Sequence, residues 1–595
     1  ALTSTQLAAM GTTQVRALST AQVAGLSSTQ IIALTTTQLG ALTSSQIGAL
    51  TTAQLRGLDT TDVAGLTTTQ VAGLTTTQLG SLTTTQLAAL ETTDLAALST
   101  TQISGIAPTS IGALSTTQVG ALTTTQIGAL TTAQIGRIES TDIAALTTTQ
   151  IGALTSIQAR ALSTTQIRGL ETTDLTVLTT TQLRGLAATQ LGALTTTQLG
   201  ALTTTQVAAL ATTQVTGLTS GQVAGLTTTQ LGALVSSQIR ALTTAQLAGL
   251  TTTDVVALTT TQIAGLTATQ LGGLSTTQMA ALETTDLVTL TTTQLLGLTA
   301  SQVAGLNTTQ VAALTTTQVA GLSVSRVAAL ESTDVAALTT TQVAALSSAQ
   351  LGGLTTTQIR GLETTDLAVL STTQLRGLSS AQLSGLNTTQ VGALTTTQLG
   401  ALTTTQIVGL SSTQVAALTT TQLGALTSTQ VGGLTAAQMG GFNTTDIAAL
   451  TTTQVAGLKS SQIAALTTTQ LAGFETTDLA TLTTTQIRGL GTSQVAGLNT
   501  TQIGALTTTQ VAALASTQLG GLTTAQVAAL TTTQLGAIGT SALGGLATSR
   551  IAALTTTQVA ALTTTQVAAL RAAQVTGLET SDIAALTTTQ IGALS

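Results

Sequence analysis

A chain of 595 residues is long enough for several globular domains, yet this one contains no Cys, His, Trp or Tyr, one proline (Pro108) and two phenylalanines (Phe442 and Phe474). With no imidazole and no thiolate there is no nitrogen or sulfur set for a transition metal, no histidine base and no cysteine nucleophile; the expectation is no enzyme, no cofactor and no catalytic or metal residue to nominate. A net charge of −6, with its basic residues scattered singly, gives no stripe for nucleic acid, and Thr and Gln recur too often for a transmembrane span.

The opening residues, ALTSTQLAAM, already belong to a repeat and not to a leader peptide, so the sequence reads as an excerpt or processed product of a longer chain. From Leu2 to Leu594 every eighth residue is Leu, apart from Met10, Ile106, Ile138, Phe442, Phe474 and Ile538, with no insertion. Counting each octad from this residue, position 2 is Thr or Ser, positions 3 and 4 are Thr, Ser or Ala, position 5 is Gln or Asp, position 6 is Val, Ile or Leu, position 7 varies, and position 8 is Ala or Gly. LTTTQVAA is the type. Disorder would not hold one column and release another, and units that stack on each other resist insertions, so residues 1–595 are expected to form one continuous octapeptide solenoid.

Each octad predicts a short helix. Thr or Ser at position 2 with Gln or Asp at position 5 is a capping box, and Leu at position 1 with the aliphatic residue at position 6 has the spacing of a hydrophobic staple. Further along the chain, Pro108 falls at position 3, the first helical residue, where a missing N–H costs least. Asn307, Asn387, Asn443 and Asn499 fall at position 2 and suit an N-cap. The small residue at position 8, broken only by Ser81, Arg137, Val177, Thr289, Val369 and Thr481, implies close approach between units. Such helices are too short to be stable alone, so packing must hold them. The fold expected is an all-α solenoid of very short capped helices. A β-solenoid is the alternative, favoured by the Thr, Val and Ile content and disfavoured by the absence of period-two alternation.

Charged residues suggest how octads group. Asp replaces Gln at position 5 in Asp62, Asp94, Asp142, Asp174, Asp254, Asp286, Asp334, Asp366, Asp446, Asp478 and Asp582, and the first ten are separated by multiples of 16. Arg56, Arg168, Arg184, Arg360, Arg376 and Arg488 lie at position 7 of octads of the opposite parity. This predicts a 16-residue coil of two helices. The acidic pattern starting at Asp62 recurs 192 residues later at Asp254 and begins again at Asp446, as duplication of a long block would leave it.

Nine octads place carboxylates at positions 2 and 5 together: Asp59/Asp62, Glu91/Asp94, Glu139/Asp142, Glu171/Asp174, Glu283/Asp286, Glu331/Asp334, Glu363/Asp366, Glu475/Asp478 and Glu579/Asp582. The favoured reading is helix N-terminal charge, paired with arginines such as Arg168 and Arg184. A hard oxygen site for Ca²⁺ is the competing reading, and so many equivalent copies argue against glycosidase chemistry.

The LTTTQ(V/I/L)xAL array resembles the repetitive regions of large secreted bacterial exoproteins and adhesin-like surface proteins. That resemblance implies an extracellular or cell-surface structural role. The function expected is a self-assembling rod of a surface or matrix filament, whose partner is another copy of itself. The alternatives are the spacer stalk of a giant adhesin or a Thr array that binds an ordered lattice such as ice or polysaccharide.

Overall fold

The structure, a computed structural model, describes residues 2–594. Among these residues 74 helices of four to six residues follow one another, one per octad, and no strand is present, so the β-solenoid is excluded. The local reason is the capping box. At helix Thr124–Ala129 the Gln126 amide donates to Thr123 Oγ1 (3.2 Å) and Gln126 Oε1 accepts the Thr123 N–H (2.9 Å), which satisfies two otherwise orphaned donors. Asn387 plays the same part, its Oδ1 accepting the Gln390 N–H at 2.8 Å, and Pro108 opens helix Pro108–Ile111. Each helix ends in a right-handed residue, after which the position 1 Leu and the next N-cap are extended; among the described residues none has a positive φ.

Within residues 1–298, and again within residues 299–595, each helix packs on the third one after it. Helix Ser156–Ala161 lies on Thr180–Gly185, which lies on Thr204–Ala209. One coil is therefore three octads, or 24 residues, and helices stack in three columns. This corrects the two-helix, 16-residue coil. The parity of Asp and Arg records where octads were substituted and duplicated; the coil is set by how far one short helix and two extended residues turn the chain. The 192-residue recurrence is eight coils of 24, so duplication returned Asp254 to the column of Asp62 and Asp286 to the column of Asp94.

The described chain forms two compact units, Ala1–Leu298 and Thr299–Ser595. Within each, position 6 and position 1 side chains fill the interior: Ile127 is 0 % and Leu130 3 % exposed. Each such side chain contributes roughly 1.5–3 kcal/mol by leaving water. Positions 2 to 4 face outward, as Thr123, Thr124 and Thr125 do. Register is held even where it loses apolar burial. In the octad LTSIQARA, residues 154–161, Ile157 is 69 % exposed while Ala159 occupies the core at 1 %, because a shift that buried Ile157 would break the box between Thr155 and Gln158.

Position 8 is small for the reason expected. A Cβ on Gly185 would lie 2.5 Å from the Ser156 carbonyl oxygen one coil below, and one on Gly169 2.7 Å from that of Ser140. These glycines have ordinary negative φ, so close approach and not backbone freedom requires them.

Candidate functional site at the fifth position of the octad

The chemistry of this chain is concentrated in a buried node built around position 5. At Gln78, Oε1 accepts the Thr75 N–H (2.7 Å) and the Thr75 hydroxyl (3.0 Å), closing the cap of its own helix. The Nε2 group turns inward and donates to Gly48 O (3.1 Å), Ile47 O (3.2 Å) and Leu50 O (2.6 Å), all in the previous coil. The last turn of a helix leaves carbonyls without partners, and here the Gln of a helix one coil later supplies them. The same pattern holds at Gln126, Gln206 and Gln454, where carbonyls 28 and 31 residues back accept. One side chain thus caps a helix start and a helix end, and Gln134 does so at 0 % exposure.

This second role is not contained in the capping-box reading, yet the sequence carries its signal. A capping box accepts Glu as readily as Gln, but all eight Glu residues of the chain lie at position 2 and none at position 5. Only a side chain with both an acceptor and a donor completes the node. The substitutions separate the two functions. Arg550 keeps the donor, its Nε bonding to the Leu522 carbonyl 28 residues back, and loses the acceptor. Aspartate keeps the acceptor and loses the donor.

The two members of each carboxylate pair enter different surroundings. Glu91, Glu139 and Glu171 are exposed, whereas Asp94, Asp142 and Asp174 are 2 %, 5 % and 2 % exposed. Asp94 Oδ2 accepts the Glu91 N–H (3.2 Å) and its Oδ1 accepts the Thr68 hydroxyl (2.9 Å); Thr116 donates likewise to Asp142 Oδ1 (2.7 Å). The residue 26 positions before each of the eleven aspartates is Thr, although Ser, Ala, Val and Pro also occur at position 3. Burial pushes the carboxyls of Asp62, Asp174, Asp286, Asp334 and Asp478 above the ordinary aspartate range, and the neighbouring position 2 carboxylate adds to the rise. Among the described residues no group of three or more Asp, Glu, His or Cys is placed to hold a metal ion.

The arginines expected to pair with these acids have backbone partners. Arg168, Arg184, Arg376 and Arg488 donate through Nε to the carbonyls of Ala193, Ala209, Ala401 and Ala513, each 25 residues on, at 3.0, 2.6, 2.7 and 3.1 Å. They are further staples between coils, on the outer side of the seam.

Cavities add little chemistry. An enclosed space among Leu199, Val207, Leu210 and Val215 does not admit a water molecule, and a groove lined by Thr492, Ser516, Gly520, Ser541, Gly544 and Arg571 is shallow and open. No helix of the described residues is long and apolar enough to cross a membrane.

The repeat itself matches a family model, the ALTTAQ repeat, over residues 1–36, 56–92, 87–132, 135–172, 167–204, 228–260, 250–284, 279–316, 327–364, 359–396, 396–428, 439–474, 471–508, 505–540 and 535–572. The chain belongs to the ALTTAQ repeat family. No curated protein matches it in sequence. It is a tandem-repeat protein with the architecture of a helical solenoid, and the string ALTTAQ in the family's description, set on the octad, runs from position 8 through the corner and the cap to the bridging Gln described above.

Proposed function

We propose that this ALTTAQ repeat protein is a non-catalytic structural element of the cell exterior, whose coils associate with further copies of the chain to build a surface or matrix filament. The observation that supports this reading is the uniformity of the node: donor, acceptor and apolar groups are spent on joining coil to coil, and the same rows of Thr and Ser hydroxyls remain outside at every turn. A catalytic site concentrates unlike groups at one place, whereas here the same groups recur from octad to octad along the chain. The acidic and basic side chains follow the same economy, since the arginines bond to backbone of the next coil.

Electron microscopy of the purified chain over a range of concentrations tests the proposal. Filaments that lengthen with concentration support it, and single chains at all concentrations overturn assembly and leave the spacer role of an adhesin stalk. A second reading, a Thr surface that recognises an ordered lattice, is favoured by one observation, the outward face of positions 2 to 4 in successive helices. Thermal hysteresis and polysaccharide pull-down measurements decide it, and absence of both removes it.

A further inference from the structure

Eleven octads carry an acceptor-only residue in a slot built for a donor. Around Asp174 the register places the Leu146 carbonyl, 28 residues back, where Gln158 meets Leu130 O at 2.7 Å and Gln166 meets Ile138 O at 2.6 Å. An ionised Asp174 accepts the Glu171 N–H at 2.9 Å but has no proton for Leu146. A carboxylate facing a helix's last carbonyls is opposed by their partial negative charge.

At these seams the sequence admits larger side chains. Position 8 packs on position 3 of the coil below, as Gly185 does on Ser156 and Gly377 on Ser348. Of the six octads that break the Ala/Gly rule at position 8, four are aspartate octads: Val177, Thr289, Val369 and Thr481 follow Asp174, Asp286, Asp366 and Asp478. The aspartates also come in pairs 32 residues apart, Asp142 with Asp174 and Asp446 with Asp478 among them. The position 5 side chain faces the end of the helix four octads back, so each second aspartate sits over the helix that carries the first.

We propose that the aspartate nodes are proton-operated joints of the solenoid: when Asp174 or Asp478 takes up a proton, its carboxylic O–H donates to the facing Leu146 or Leu450 carbonyl, as Gln does elsewhere, and the seam closes. The charged surroundings are simple. Asp174 has Glu171 on its own helix; the helices packed against it, Thr148–Gly152 and Thr196–Gly200, carry no titratable residue, and the helix below its slot, Ser140–Ala144, carries Asp142 with Glu139 at its cap. Asp478 has Glu475 on its own helix, uncharged neighbours in Thr452–Ala456 and Thr500–Gly504, and Asp446 on the helix below. Since the folded carboxyls titrate above the unfolded ones, the native state binds more protons in the window between the two, and seam stability rises as pH falls through it.

Hydrogen exchange of the full chain, followed by peptide mass spectrometry and corrected for intrinsic rates between pH 7 and pH 4, tests the joint. The segment around Leu146 and Asp174 is expected to gain about tenfold protection on acidification, while the adjacent Gln166 seam stays level. Asp174→Asn, which keeps the size and removes the titration, is expected to abolish the gain, and Asp174→Gln to give the protected value at both ends of the range. An Asp174 seam that does not respond to pH, or an Asn variant that responds as the wild type does, overturns the proposal.

Discussion

Two consecutive octads, those of Gln166 and Asp174, bury their fifth residue equally, at 3 % and 2 % exposure, and are held to the coil below in different ways. Gln166 accepts the Ser163 N–H at 2.7 Å and donates to Ile135 O at 2.8 Å and Ile138 O at 2.6 Å; Asp174 accepts and does not donate. The eighth residue registers the consequence. In the Gln octad Gly169 leaves no space for a methyl, whereas the Asp octad accommodates Val177. The two octads thus differ locally, in one side chain and in the size of the eighth residue, and a solenoid whose units contact mainly their neighbours transmits such a difference only a short way.

The sharpest way to break the contrast is to turn the first octad into the second. Gln166→Glu removes two donations from a buried group and leaves a carboxylate in their place, so at neutral pH the seam is expected to lose about 3 kcal/mol, read as faster exchange of the Ile135–Ile138 amides. An unchanged rate would show that the amide is dispensable. Next in size is Gly169→Val, which forces a side chain against the Ser140 carbonyl and is expected to cost about 2 kcal/mol in urea unfolding monitored by helical circular dichroism. The reverse change, Val177→Gly, is expected to cost under about 1 kcal/mol, because Val177 is already 41 % exposed.

The threonine row sharpens the same comparison from the other side. Thr116→Val keeps the shape and removes the hydroxyl that bonds to Asp142, for an expected loss of about 1.5 kcal/mol in urea unfolding. Thr132→Val, 26 residues before Gln158, is expected to change stability by less than about 0.5 kcal/mol. Equal effects in the two variants would mean that Thr at position 3 serves the helix and not the aspartate.

Most of the fold was legible because its signals are local. Thr123 and Gln126 announce a cap by their spacing alone, and Pro108 confirms the register at a single residue. The number of helices in a coil was not legible, since it depends on the turn accumulated over helix and corner, and the parity of Asp62, Asp94 and Asp142 reports duplication instead. The donor half of the Gln node was missed for a related reason: its partners lie 28 and 31 residues away, and a short-range motif such as the capping box explains only the near half. The exclusion of Glu from position 5 held that information, because only the distant half discriminates an amide from a carboxylate. Ile157 teaches the same point, since counting apolar residues places it inside and the cap places it outside.

The arginines should give the smallest effect, and its size distinguishes two kinds of staple. Arg184 reaches the Ala209 carbonyl from the exposed rim of the seam, where solvent competes for both groups, and it orders a long side chain to do so. Arg184→Ala is therefore expected to lose no more than about 0.5 kcal/mol in thermal unfolding followed by circular dichroism, with little dependence on salt because the acceptor is a neutral carbonyl. A larger loss that fades as salt is added would mean that the guanidinium works through Glu171 or another carboxylate, and the rim would then be an ionic seam laid over the amide one.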